Sequence, residues 1–194
     1  MVVSPFYFKP SDDELHEHYK SILESVSIPI VIYNVPKFTG YSISPHVIHR
    51  LAQEFDHVIG VKDSGGNISQ IAEIIRLDGG SISVLAGTGD TMLATLMLGG
   101  NGAIAAVVNV APRLCVGLYE AFKKGDYGKA GEIQMRLSQL NDILVRKHNQ
   151  IAAIKEALAL LGKPSGYPRK PTLPLKEEDR KDVERVLRDL KLLP

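Results

Sequence analysis

Five short apolar runs, at residues 1–6, 28–35, 58–61, 82–86 and 103–110, alternate with longer amphipathic segments that open on helix-capping residues. None of the runs alternates cleanly between apolar and polar, so each reads as a strand buried on both faces. Ser11-Asp12-Asp13-Glu14 is a capping box ahead of Leu15, Tyr19, Ile22 and Leu23. Ser44-Pro45 supplies an N-cap and a first-turn proline, and Asn67 and Asp90 are expected to cap the next two helices. The repeating strand–helix order calls for an α/β fold with a parallel sheet under helical cover.

After Pro112 the pattern changes. Residues 113–124, 127–146, 150–161 and 177–190 carry apolar side chains at helical spacing, with breaks at Gly125-Asp126 and Gly162-Lys163-Pro164. Residues 166–174 hold too many prolines for a regular element and are expected to run extended. The domain boundary is expected between a βα portion, residues 1–124, and a helical region, residues 125–194.

At 194 residues and 44% hydrophobic, the chain can bury a sizeable core. Its 23 basic and 22 acidic side chains leave a net charge of +1, which offers no field for nucleic acid or an anionic membrane. One cysteine, Cys115, rules out an internal disulfide framework and fits a reducing, cytoplasmic setting. The start shows no signal peptide, and the longest apolar run, residues 102–112, is too short to span a bilayer.

Five βα units are too few for a closed (β/α)8 barrel, which takes about 250 residues, whereas an open doubly wound sheet is satisfied with five. Periodicity does not separate the two. Because the chain opens inside a strand, the expectation is an N-terminally truncated domain.

In parallel α/β folds the binding groups gather at the carboxyl ends of the strands. Val58-Ile59-Gly60-Val61-Lys62-Asp63-Ser64 places a lysine at such an end. Removing an amine from water favours its neutral, nucleophilic form, which attacks ketones to give a Schiff base. The bland alternative is a snorkelling lysine with a wet head. Schiff-base chemistry also needs a proton relay and donors for a substrate carboxylate, which Tyr33 and the Thr39-Gly40 backbone are placed to supply. Tyr33 and Tyr7 read equally as buried aromatics with satisfied hydroxyls, Thr39-Gly40 as a turn, and Asp63 as a turn or cap residue. Gly87-Thr88-Gly89 lacks the third glycine of a dinucleotide fingerprint. His46 and His49 share a helix face without a nameable third ligand, so no metal site is expected.

Tyr-Asn-Val-Pro-x-x-Thr-Gly (33–40) followed by Gly-Val-Lys-Asp-Ser (60–64) carries a resemblance when taken with four further segments. These are Pro-Phe-Tyr (5–7), Gly-Thr-Gly-Asp (87–90), Gly-Ala-Ile-Ala-Ala-Val-Val-Asn (102–109) and the Gly-Tyr-Pro-Arg-Lys-Pro-Thr-Leu-Pro-Leu tail (166–175). Together they resemble the dihydrodipicolinate synthase / N-acetylneuraminate lyase family over essentially the whole chain. The resemblance implies a partial TIM (β/α)8 barrel, about the last five βα units, followed by a C-terminal helical segment. It implies a class I lyase or aldolase acting on pyruvate or a related 2-oxo acid with an aldehyde, as a homo-oligomer (dimer or tetramer), with no metal or organic cofactor.

Carried to matching positions, Lys62 would be the Schiff-base lysine, Tyr33 the proton shuttle, and Tyr7 an aromatic that completes a relay across subunits. Thr39, Gly40, Gly87, Asp90 and Ala105 would line or close the substrate site. Phe38 stands where the synthase branch has a carboxylate-binding arginine, and an apolar ring cannot replace a bidentate guanidinium. The expectation is therefore a 2-keto-3-deoxy sugar acid aldolase-like activity. The alternatives are a dihydrodipicolinate synthase-type condensation, or a catalytically incompetent remnant acting as an oligomerisation module.

Overall fold

The structure, a computed structural model, describes residues 1–193. Two compact units divide it, Met1–Ile104 and Ala105–Pro194, so the helix after Pro112 belongs by its contacts to the second unit, ahead of the expected boundary at 124/125.

The first unit alternates strand and helix: β1 (Val2–Val3), α1 (Asp12–Ser25), β2 (Ile30–Asn34), the one-turn α2 (Pro36–Thr39), α3 (Pro45–Glu54), β3 (Val58–Asp63), α4 (Ile68–Asp78), β4 (Ser83–Ala86), α5 (Met92–Met97) and β5 (Gly102–Ala103). Local chemistry sets these limits. The Ser11 hydroxyl accepts from the Glu14 N–H while the Ser11 N–H donates to Glu14 Oε2 at 2.7 Å, closing the capping box. The Asn67 side chain accepts from the N–H groups of Ser69 and Gln70 to start α4, and Gly79 ends it in the left-handed region at φ 65°. Thr91, one residue past the expected Asp90, holds the N-cap position of α5, and its hydroxyl pairs with that of Thr88 at 2.9 Å.

All five strands are parallel, and each pairs only with its sequence neighbours, in the order β1-β2-β3-β4-β5. A doubly wound sheet reverses strand order at a switch point. There is no reversal here, and right-handed crossovers then put every helix on the same face, as in a barrel wall. Leu15, Tyr19 and Leu23 of α1, Val47, Ile48 and Leu51 of α3, and Ile71 and Ile74 of α4 pack with Ile30, Ile32, Val58, Val61 and Val84 into one core. Burial of each such side chain stabilises by about 1.5–3 kcal/mol.

The strands were expected to be buried on both faces, but the second face is covered less. Val31, Tyr33, Lys62 and Leu85 there are half-buried, and Val3 is 41% exposed. A register shift between Ile30 and Val31 leaves Ile59 as the extra residue of a bulge, 48% exposed.

The second unit begins where residues 103–110 were expected to form a strand. Pairing stops at Ala103, and Ala106–Asn109 coil into a 3₁₀ turn ahead of α6 (Pro112–Lys123). A continuous apolar run is compatible with either conformation, so its periodicity could not choose. α7 (Tyr127–Asn141) runs into a π-helical turn, Asp142–Lys147, followed by α8 (Gln150–Leu160) and α9 (Glu177–Asp189). Leu118, Ala130, Leu137, Leu140, Leu144, Ala153, Val183 and Leu187 form the buried face of this unit. The proline-rich residues 163–176 hold no helix or strand. Among the described residues, no helix is long and apolar enough to cross a membrane.

Candidate active site

β2 and β3 end side by side. Tyr33 pairs with Lys62 and Asn34 with Asp63. Because strand side chains alternate, directly paired residues share a face: Tyr33 and Lys62 project from the sparsely covered face, Asn34 and Asp63 toward the helices. The Lys62 ammonium lies 4.0 Å from the centroid of the Tyr33 ring. That is within cation–π range, and both side chains are half-buried. The Lys62 head is held against an aromatic face at the carboxyl end of the sheet.

The segment after β2 is folded tightly. Thr39 is buried, and its hydroxyl reaches the carbonyls of Val35 at 3.2 Å and Tyr41 at 2.9 Å. The Thr39 and Gly40 N–H groups donate to Val35 O and Pro36 O, and Gly40 takes φ 85°. Both expected backbone donors are thus engaged within the turn, where they shape the loop. Tyr41, which sequence reasoning passed over, donates its phenol to Pro5 O at 2.6 Å and ties this loop to the one after β1.

That first loop carries Tyr7, which is 87% exposed, strained at φ 84°, and edge-on to Phe8 at 4.6 Å between centroids. So exposed a ring packs on neither Lys62 nor Tyr33. Phe38 is exposed, with Lys37 Nζ 5.7 Å from its ring centroid.

Gly87 follows β4, donating its N–H to Asp63 O at 2.6 Å. A Cβ there would fall 1.9 Å from Ser64 Oγ and 2.7 Å from Asp63 O, so only glycine lets the ends of β3 and β4 approach this closely. Asp90 is half-buried two residues past Thr88. Ala105 is buried, as the first residue of the second unit.

Asp63 is the residue whose importance sequence reasoning missed. It is fully buried and accepts from Asn34 Nδ2 at 2.6 Å, Gln70 Nε2 at 2.9 Å and the Gly65 N–H at 2.9 Å. Strand alternation held the signal. If Lys62 faces one way, Asp63 must face the helices, and a carboxylate there needs partners. Among the described residues, no group of three or more His, Cys, Asp or Glu is placed to hold a metal ion.

A parallel sheet wound in one direction, bearing a lysine against a tyrosine at its carboxyl edge, defines a (β/α)-barrel-type protein with an amine at the active-site end. The chain belongs to the dihydrodipicolinate synthetase family, whose model matches residues 1–190. It is 42% identical over 193 residues to the 4-hydroxy-tetrahydrodipicolinate synthase of Archaeoglobus fulgidus, covering 100% of this chain and 66% of that protein. It is 36% identical over 191 residues to the enzyme of the same name from Methanocaldococcus jannaschii, covering 98% of this chain and 65% of that one.

Among solved structures, dihydrodipicolinate synthase from Thermotoga maritima superposes with a TM-score of 0.93 at 34% identity, over 99% of this chain and 66% of its own. A prophage protein of the same family from E. coli K12, in complex with pyruvate, gives 0.92 at 32% identity, over 98% and 65%. The fold is thus the C-terminal part of the family's barrel with its helical segment, and the chain spans about 66% of the length of the curated relatives it matches.

Proposed function

We propose that Lys62 is the imine-forming nucleophile of a carbon–carbon bond-forming or -cleaving enzyme that acts on pyruvate or a related 2-oxo acid. The observation that carries this reading is the Lys62 amine against the Tyr33 ring, on directly paired strand ends. The neutral amine adds to the C2 carbonyl, water leaves, and the resulting iminium draws electrons from C3, so that loss of a C3 proton gives an enamine. The enamine carbon attacks an aldehyde, and hydrolysis returns Lys62; the cleavage direction runs the same steps backward. Tyr33 is the group proposed to carry protons between these atoms. The iminium is itself the electron sink, so the scheme calls on no metal or organic cofactor.

The names of the relatives support a condensation of the 4-hydroxy-tetrahydrodipicolinate synthase type. That reading takes precedence over the sugar acid aldolase expected from the sequence. One observation favours the aldolase as a second reading: Phe38, apolar and 63% exposed, offers no cation to an acceptor's carboxylate. A homo-oligomer in which the exposed Tyr7 serves a neighbouring subunit, in a cytoplasmic setting fitting the lone Cys115, belongs to the same proposal.

Reductive trapping tests it. Borohydride with pyruvate is expected to add one reduced adduct at Lys62 and none to Lys62→Arg, which keeps the charge and loses the nucleophile. Unchanged mass, under conditions that label a full-length family member, together with cooperative folding as an oligomer, would transfer support to the non-catalytic module. An amino-acid-bearing aldehyde and a neutral hydroxyaldehyde, offered in competition, separate the synthase from the aldolase.

A further inference from the structure

A wholly buried carboxylate is costly unless every oxygen is met, and Asp63 is met without any cation. Its three donors come from three pieces of chain: Asn34 at the end of β2, Gly65 in the loop after β3, and Gln70 in the first turn of α4. The Asn34 contact, at 2.6 Å, orients that amide. With Nδ2 turned toward Asp63 and toward Ser42 Oγ at 3.0 Å, Oδ1 is left to accept the Ile43 N–H at 2.9 Å. Asn34 therefore closes the loop that carries Thr39, Gly40 and Tyr41 at its far end. Gly65 packs over the same junction: a Cβ there would lie 3.2 Å from Asp63 Oδ1, 3.4 Å from Pro36 Cγ and 3.5 Å from Asn34 Nδ2.

The Asn34–Asp63 pair stands one residue beyond the Tyr33–Lys62 pair on the same two strands, and it projects to the opposite face. We propose that Asp63 is a positioning residue: its carboxylate, bridging Asn34, Gly65 and Gln70, locks the ends of β2 and β3 so that Lys62 stays against Tyr33. The proposal rests on the imine-forming reading of Lys62. The charge matters because all three partners donate. Asn34 Nδ2 and Gln70 Nε2 meet Oδ2 and the Gly65 N–H meets Oδ1, so an asparagine, with one acceptor and one donor, sets its amide nitrogen against either Gly65 or the Asn34–Gln70 pair; in the second case the Asn34 amide is driven to turn. Turning Asn34 leaves the Ile43 N–H without its acceptor and frees the loop. Small displacements at an attacking amine are expensive in rate.

The test reads the geometry and the chemistry separately. With ¹³C-labelled lysine, the Lys62 ε-CH₂ signal, assigned by its loss in Lys62→Arg, is expected upfield of other lysines because of the Tyr33 ring current. Asp63→Asn is expected to move that signal back toward the others. It should also lower the maximal rate of borohydride-trapped imine with pyruvate by roughly 10- to 100-fold, while half-saturating pyruvate stays unchanged because Asp63 does not reach the substrate. The swapped variant Asn34→Asp/Asp63→Asn restores the carboxylate–amide contact between the two strands while Gly65 and Gln70 still face an amide, and is expected to recover part of both.

A folded Asp63→Asn with wild-type signal and rate overturns the proposal. Where Asp63→Asn does not fold, a folded swapped variant lacking both the upfield signal and the rate overturns it equally. A wild-type protein with the upfield signal but no trapped imine removes the functional reading alone, and the shift in Asp63→Asn still decides the positioning role.

Discussion

Lys62 Nζ lies 4.0 Å from the centre of the Tyr33 ring, and the two residues are direct partners in the parallel pairing of β2 with β3. One backbone step further, Asn34 and Asp63 repeat the pairing on the helix-facing side. The Tyr33–Lys62 face and the Asn34–Asp63 pair behind it are thus built from the same two dipeptides. A shift of one strand past the other would disturb both at once.

Tyr33→Phe keeps a ring beneath the lysine and removes only the phenol. Imine at Lys62 is expected to form still, while exchange of the C3 protons of bound pyruvate with D₂O, followed by NMR, slows by roughly 10²- to 10⁴-fold. Equal exchange rates in the two proteins would take Tyr33 out of the proton relay.

Gly87 and Gly40 are each required for a different physical reason. At Gly87 the obstacle is a collision with Ser64 and Asp63, so Ala and Asn are both expected to destabilise, by about 1–3 kcal/mol or more. At Gly40 nothing lies within 4 Å of a Cβ, and only φ 85° stands in the way, so Ala costs about 1–2 kcal/mol and Asn considerably less. Urea denaturation of the four variants reads the contrast, and a well-tolerated Gly87→Asn would contradict it.

Burial raises the Cys115 thiol from 9.0 to about 11. The neutral thiol is the form the fold favours, so its contribution to stability is complete below pH 9 and is lost as pH rises toward 11. Labelling by a thiol-specific disulfide reagent at pH 8 is expected to follow global unfolding in denaturant. Rapid labelling of the native protein would show that the site opens locally.

Glu14 is held below its ordinary 4.5 first by the Ser11 N–H and then by the Ser11 hydroxyl. A lowered acid stabilises above its unfolded value and ceases to do so as pH falls through the folded one, so the capping box should weaken below about pH 4.5. Glu14→Gln is expected to melt below wild type at pH 7 and to converge with it in acid, by circular dichroism at a series of pH values. A gap that stays constant with pH would mean that the charge contributes nothing.

Much of the fold was legible because its signals are local. The Ser11–Glu14 box, the Asn67 cap and the Ser44-Pro45 start all lie where their side chains reach the N–H groups two or three residues on. The strand ends bearing Tyr33 and Lys62 were legible too. Where the signal was only apolarity it misled: residues 103–110 looked like one strand, but only Ala103 of them pairs and four coil. Residue type pointed to Asp90 as the start of α5, whereas the N-cap position falls one residue later, at Thr91, whose hydroxyl pairs with that of Thr88. Asp63 has the composition of a turn residue. Its role depends on Asn34 and Gln70, which come from other elements and meet it only after the sheet has formed.

The residues alone dictated the strand–helix repeat, the capped helix starts and a lysine at a strand end, because each depends on neighbours within a turn or two of chain. They left open whether the sheet winds one way or two, which tyrosine meets Lys62, and what the adjacent carboxylate does. Those were decided by the parallel register, which brings residues about thirty positions apart to 4 Å or less, a distance that no local periodicity encodes.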